Sequence, residues 1–176
     1  DGGAYVQYRS GDGKPRRFTF TGGAVSSSGH RVINGAIDPV TYDVNRDVVF
    51  LQGRYDGPKV NSYFQQEVDV NRGWRKEAEG STFTGTSTFA MLRVAPSRAV
   101  SFDAGYDDRR NVRVYRDLTN PVTQFDDAYR QGSWLGAEWR SPRRYSAGVS
   151  ARRSSGGAAG PANSYSFNFG VSQISR

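Results

Sequence analysis

A chain of 176 residues with a net charge of +7 has room for one domain or one modest barrel, and its lack of Cys excludes a disulfide framework or a thiolate metal site. Hydrophobic residues reach only 36%, yet aromatics make up 13%, a mixture that excludes simple disorder. Leu stands only at 51, 92, 118 and 135 and Ile only at 33, 37 and 174, which excludes a fold of several buried helices.

In chain order, Ala4, Val6 and Tyr8 open a first strand, and Gly11-Asp12-Gly13 reads as a loop tip. Phe18 and Phe20 mark a second strand. Residues 23–45 are the least legible, with Ser26–Gly29 read as a loop tip and a short strand expected around Arg31–Ile37. Val49, Leu51 and Tyr55 mark the next strand. Phe64, Val68, Val70 and Trp74 then oppose Glu67, Asp69, Asn71 and Arg75. Thr88, Ala90, Leu92 and Val94 form one face of the following strand, although Phe89 and Met91 blur it.

From Val100 onward the alternation is clean. Val100, Phe102, Ala104 and Tyr106 alternate with Ser101, Asp103, Gly105 and Asp107. Ser133, Leu135, Ala137 and Trp139 oppose Trp134, Gly136, Glu138 and Arg140. Tyr145, Ala147, Val149 and Ala151 oppose Ser146, Gly148, Ser150 and Arg152, and Tyr165, Phe167, Phe169 and Val171 close the series. Period-two alternation puts successive side chains on opposite faces of a sheet. Ala95-Pro96-Ser97-Arg98 and Ser141-Pro142-Arg143-Arg144 read as tight turns, whereas Asp107–Gln131 and Arg153–Asn163 read as long polar connections, with a loop tip at Ser154–Gly160.

Long connections on one side and short on the other suit an outer-membrane β-barrel. In such a barrel only every second residue is apolar, so a mean hydropathy of −0.69 is compatible with the membrane. No run approaches the roughly 18 apolar residues of a spanning helix. The expectation is an all-β, antiparallel up-and-down barrel of about 8–10 strands formed by residues 1–176, or part of a larger barrel. With the apolar faces toward lipid, Glu67, Asp69, Arg75, Asp103, Asp107, Glu138, Arg140 and Arg152 point into the lumen. Mixed signs there argue for structural filling more than for ion selectivity. Tyr and Trp near strand ends suit interfacial girdles.

The stretches Asn71–Gly80, Asp103–Asp107, Arg109–Arg113, Phe125–Asp127 and Arg130–Gly132 together resemble the C-terminal barrel regions of large outer-membrane proteins of Gram-negative bacteria. The resemblance spans roughly residues 60–176. It implies a bacterial outer-membrane location and a barrel, with no catalytic residue and no cofactor. Such barrels commonly end in an aromatic residue; this chain ends Gln173-Ile174-Ser175-Arg176, which suits a piece of a larger barrel.

Chemistry is thinly marked. Arg supplies 21 of the 24 basic residues, and Arg109, Arg110, Arg113 and Arg116 around Tyr115 form a basic patch expected in a loop. In an external loop such a patch meets lipopolysaccharide phosphates or another envelope protein; nucleic acid is set aside as a partner. His30 is the one histidine, read as a solvated loop residue. The acid pairs Asp107-Asp108 and Asp126-Asp127, with Glu77 and Glu79, read as loop ion pairs before any calcium site or shared proton. The leading expectation is therefore a non-enzymatic barrel acting as anchor, scaffold or narrow pore, embedded among lipid and lipopolysaccharide. The alternatives are a soluble Arg-rich β-sheet module for polyanions, and a barrel hydrolase using His30 at its rim.

Overall fold

The computed structural model describes the chain except for residues 34–35, 111–128, 142–144, 157–159 and 172–176. The described residues are all-β apart from one short helix. The elements are β1 (Gly2–Ser10), β2 (Arg17–Ile33), β3 (Ala36–Asp56), β4 (Val60–Val70), α1 (Trp74–Glu79), β5 (Phe83–Val94), β6 (Val100–Arg110), β7 (Tyr129–Arg140), β8 (Tyr145–Ser155) and β9 (Ala162–Val171).

The nine strands form one antiparallel sheet in the order of the chain. Each strand pairs only with its sequence neighbours, as an up-and-down meander requires. The sheet is not closed into a barrel: β1 and β9 are its two edges.

Register fixes which side chains share a face, because directly paired residues point the same way. One row runs Tyr8, Phe20, Gly53, Phe64, Ala90, Tyr106. The next runs Leu92, Ala104, Leu135, Ala151, Tyr165, and another runs Phe102, Ala137, Val149, Phe167. The opposite face carries Gln7, Thr21, Gln52, Gln65, Phe89 and Asp107 in one row, and Arg17, Asp56, Asn61, Arg93 and Asp103 in another.

The polar face is the concave one. A Cβ added at Gly23, Gly105, Gly136, Gly148 or Gly170, all on that face, would meet a neighbour at 2.0, 2.5 or 2.6 Å. At Gly53, on the apolar face, it would meet nothing within 4 Å. Small residues on the inside of the curve let the backbone bend without collision. The apolar face is accordingly convex and open: Leu135 is 66% exposed and Phe167 76%.

Three local readings change. Ser26–Gly29 is no loop but the middle of β2, where the Ser26 hydroxyl lies 2.5 Å from Asp47 Oδ1 on β3. The short strand expected around Arg31–Ile37 gives way to the end of β2 at Ile33 and the start of β3 at Ala36; β2 and β3 run on beyond the reach of β1 and β4 as a two-stranded ribbon. Trp74 and Arg75 are not in a strand. β4 stops at Val70, and Gly73, with φ 52°, turns the chain into α1. Gly80 then ends α1 in the left-handed conformation, its N–H donating to the Lys76 carbonyl at 3.0 Å.

The asymmetry of the connections is weaker than expected: Arg153–Asn163 narrows to the stretch between Ser155 and Ala162, no longer than residues 11–16, and Asp107–Arg110 and Tyr129–Gln131 belong to β6 and β7. Residues 11–16, 57–59 and 95–99 join strands at one end of the sheet; residues 71–82 join them at the other, where the β2–β3 ribbon also projects.

Candidate functional site: a charged clasp on the concave face

The most buried side chains of the described residues are not apolar. Asp69 and Asn71 are the fully buried ones, and Arg75 is 2% exposed. A buried charge is tolerated only when it is paired and hydrogen-bonded, so this cluster must satisfy itself.

It does so around the Asp69 carboxylate. Arg46 on β3 donates to it through Nε, at 3.1 and 3.0 Å, and through Nη2, at 2.8 Å. Arg75 on α1 donates through Nη2 at 2.7 Å, and the Thr86 hydroxyl donates at 3.0 Å. Thr86 arrives by a bulge: Glu67 pairs with Ser87 and Val68 with Gly85, so Thr86 is the extra residue. Glu67 stands 3.5 Å from Arg46 Nη2 and balances the second guanidinium.

α1 is held over this cluster from several sides. Arg72 pairs with Asp47 at 2.5 Å, the Trp74 indole donates to the Val44 carbonyl at 2.8 Å, and Glu79 pairs with Arg110 at 2.7 Å. Asn71 Nδ2 donates to the Ser81 carbonyl and to Thr84 Oγ1, closing the base of the connection. Burial pushes the Arg75 guanidinium below its ordinary value, against the pull of Asp69 and Glu79. The clasp ties β3, β4, β5 and α1 together. With the Asp69 carboxylate receiving two guanidinium groups and a hydroxyl, it has the geometry of a structural tie, not of a base or nucleophile.

Of the eight charges expected in the lumen, Glu67, Asp69, Asp103, Asp107, Glu138, Arg140 and Arg152 lie on the polar face by register. Arg75 reaches that face from α1. They form no single centre. Glu67, Asp69 and Arg75 belong to the clasp. Asp107 pairs with Arg109 at 2.7 Å along β6. Glu138 pairs with Arg140 at 2.8 Å and with Arg93 at 3.8 Å near the short-turn end. Asp103 packs over Gly136.

The basic patch is not a loop in its described half. Arg109 and Arg110 end β6 and are engaged by Asp107 and Glu79; Arg113 and Arg116 lie outside the described residues. Asp107 and Asp108 fall on opposite faces, so they share no proton; Asp108 accepts from the Tyr106 hydroxyl at 2.8 Å. Asp126-Asp127 lies outside the described residues. His30 sits in β2, its ring edge against Tyr42 at 4.9 Å, not in a loop. Among the described residues no group of His, Cys, Asp or Glu is placed to hold a metal ion.

Sequence reasoning missed Arg46, Thr86 and Asn71 as members of the clasp. Their one signal was indirect: Asp69, an acid in the middle of a strand, demands a cation from somewhere.

A second feature of the concave face is an aromatic row. Tyr63 and Phe89 have ring centroids 5.8 Å apart, and Phe89 and Trp134 5.9 Å. Its position beside the ion pairs fills the hollow of the sheet with matter that is half apolar and half charge-neutralised. No protein-family model, curated protein or solved structure matches this chain.

Proposed function

We propose that the chain is the wall of a bacterial outer-membrane β-barrel, a non-enzymatic anchor or scaffold whose lumen is filled by paired side chains. One observation carries this reading: the distribution of side chains is inverted relative to a soluble domain. The convex face presents a continuous exposed belt of Leu, Val, Phe, Tyr and Trp, while the fully buried side chains are Asp69 and Asn71. Monomeric soluble proteins rarely expose an apolar patch of that extent. Lipid is the solvent that suits it, and alternation with a polar interior is the pattern of transmembrane barrels.

The mixed, mutually paired charges of the concave face support filling over conduction. Among the described residues the meander leaves β1 and β9 as open edges running in the same direction. Bacterial single-chain barrels close antiparallel, so these two edges would not pair with each other directly. The test is outer-membrane fractionation together with heat-modifiable gel mobility. Recovery in the outer membrane with a mobility shift on boiling is expected. A chain that is soluble and monomeric without detergent would overturn the reading, and salt-sensitive polyanion binding by that soluble form would favour the Arg-rich module.

A further inference from the structure

The two ends of the sheet differ sharply in charge. At the short-turn end, residues 11–16, 57–59 and 95–99 carry Lys14, Arg16, Lys59 and Arg98 against the acid Asp12, while Arg17 at the start of β2 faces Asp56 at the end of β3. Each of these connections combines a Pro with at least one cation: Pro15, Pro58 and Pro96. At the opposite end residues 71–82 carry Arg72, Arg75 and Lys76 against Glu77 and Glu79, and Arg72, Arg75 and Arg110 pair with Asp47, Asp69 and Glu79. The larger excess of positive charge therefore stands on the short-turn rim.

That rim is rigid. The Lys14 N–H donates to the Gly11 carbonyl at 2.9 Å, and the Ala95 N–H to the Lys59 carbonyl at 2.7 Å. The Arg140 N–H donates to the Ala99 carbonyl at 2.8 Å, which ties the same turn to the next strand. Lys14, Arg16, Lys59 and Arg98 are all exposed, and a hollow of about 520 Å³ lies between Pro58-Lys59 and Pro96–Arg98. The hollow is also lined by Arg93, Glu138 and Arg140 of the concave face, while on the convex face toward the same end Val100 pairs with Trp139 and Tyr145 stacks on Phe169 at 6.3 Å.

We infer that this rim is a docking surface for the phosphate headgroups of an anionic phospholipid leaflet. The cations stand one connection apart along the sheet edge, where the apolar belt ends, so they follow the perimeter at which headgroups meet acyl chains. A basic residue near an anionic lipid surface is drawn to it, and the attraction fades within a Debye length. A nucleic-acid groove would instead need bases stacked among the cations, and the aromatics here lie on the lipid side of the rim. The inference rests on the membrane reading and deepens it, assigning the short-turn end to the phospholipid leaflet.

The test is electron paramagnetic resonance with spin-labelled phosphatidylglycerol and phosphatidylcholine in vesicles holding the folded protein. Its motionally restricted fraction gives the relative association of each lipid. Wild type is expected to favour phosphatidylglycerol by about tenfold at low salt and to lose that preference as salt rises. The variant with Lys14→Gln, Arg16→Gln, Lys59→Gln and Arg98→Gln should restrict both lipids equally. Equal restriction by wild type, a preference indifferent to salt, or a preference unchanged in the variant overturns the inference. Loss of the preference on adding inorganic phosphate, but not chloride of equal ionic strength, also overturns it by making the rim a free-phosphate site. Absence of a restricted component with either lipid would defeat the membrane reading itself, a separate outcome.

Discussion

The indole of Trp134 lies across the backbone of Gly105: a Cβ at position 105 would stand 2.0 Å from Trp134 Cζ2. Register pairs the two residues on the concave face, and the indole continues through Phe89 to Tyr63. A side chain at 105 would have to displace the ring that fills the hollow, or flatten the sheet there.

Gly105→Ala should therefore destabilise the fold by about 1–3 kcal/mol, the usual range for overpacking. Gly53→Ala, on the open convex face, should change stability by less than about 1 kcal/mol. Urea unfolding in detergent or lipid reads both. In a Trp134→Ala background the Gly105→Ala cost should largely vanish, since the obstacle has gone.

Asp69 is a second fixed point. Asp69→Asn leaves the guanidinium groups of Arg46 and Arg75 without their shared anion, and loss of one member of a buried pair costs about 3–5 kcal/mol. Glu138→Gln, in a pair whose Arg140 side chain is 64% exposed, should cost less than about 1 kcal/mol. A double-mutant cycle between Asp69 and Arg75 should show strong coupling, whereas one between Glu138 and Arg140 should show little. Equal coupling at both pairs would contradict the clasp.

Trp74→Phe keeps an aromatic ring, though a smaller one, and removes the donor to the Val44 carbonyl. It should cost about 1 kcal/mol and act locally, speeding hydrogen exchange at the α1 amides more than in β6–β8. Uniform acceleration across the sheet would mean that α1 is not a separately tied element.

On the convex face, Leu135→Arg places a charge in the middle of the apolar belt. In a bilayer the cost should be about 2–4 kcal/mol, as for Arg at the midplane of a transmembrane barrel. In a soluble sheet the same exposed substitution would fall within about 0.5 kcal/mol. Folding into phosphatidylcholine vesicles with denaturant titration separates the two values.

Much of this architecture was legible, and the reason is one-sided exposure. β6 to β9 alternate cleanly because each has one apolar and one polar face, so Phe102 and Asp103, or Leu135 and Gly136, had to part company. The β2–β3 ribbon was illegible because beyond β1 and β4 neither face has a constant environment. Ser27, Ser28 and Gly29 therefore carry loop-like composition inside a strand. Trp74 and Arg75 continued the period of Val68 and Val70 by parity alone; the positive φ of Gly73 ends that continuity. The clasp was half legible. Asp69 and Arg75 were placed together on the polar face, but Arg46 lies 23 residues from Asp69 in sequence, and only strand pairing brings it near.

Trp139 and Trp134 lie on opposite faces of β7, and they allow the central claim to be tested directly. Trp139 belongs to the convex belt and Trp134 to the concave aromatic row. Single-tryptophan variants carrying one or the other, folded into vesicles whose acyl chains are brominated near the headgroup, report which ring meets lipid. Strong quenching of Trp139 with little of Trp134 is the result predicted for a barrel wall with its apolar face outward. Quenching of neither ring, or of Trp134 in preference to Trp139, would contradict it.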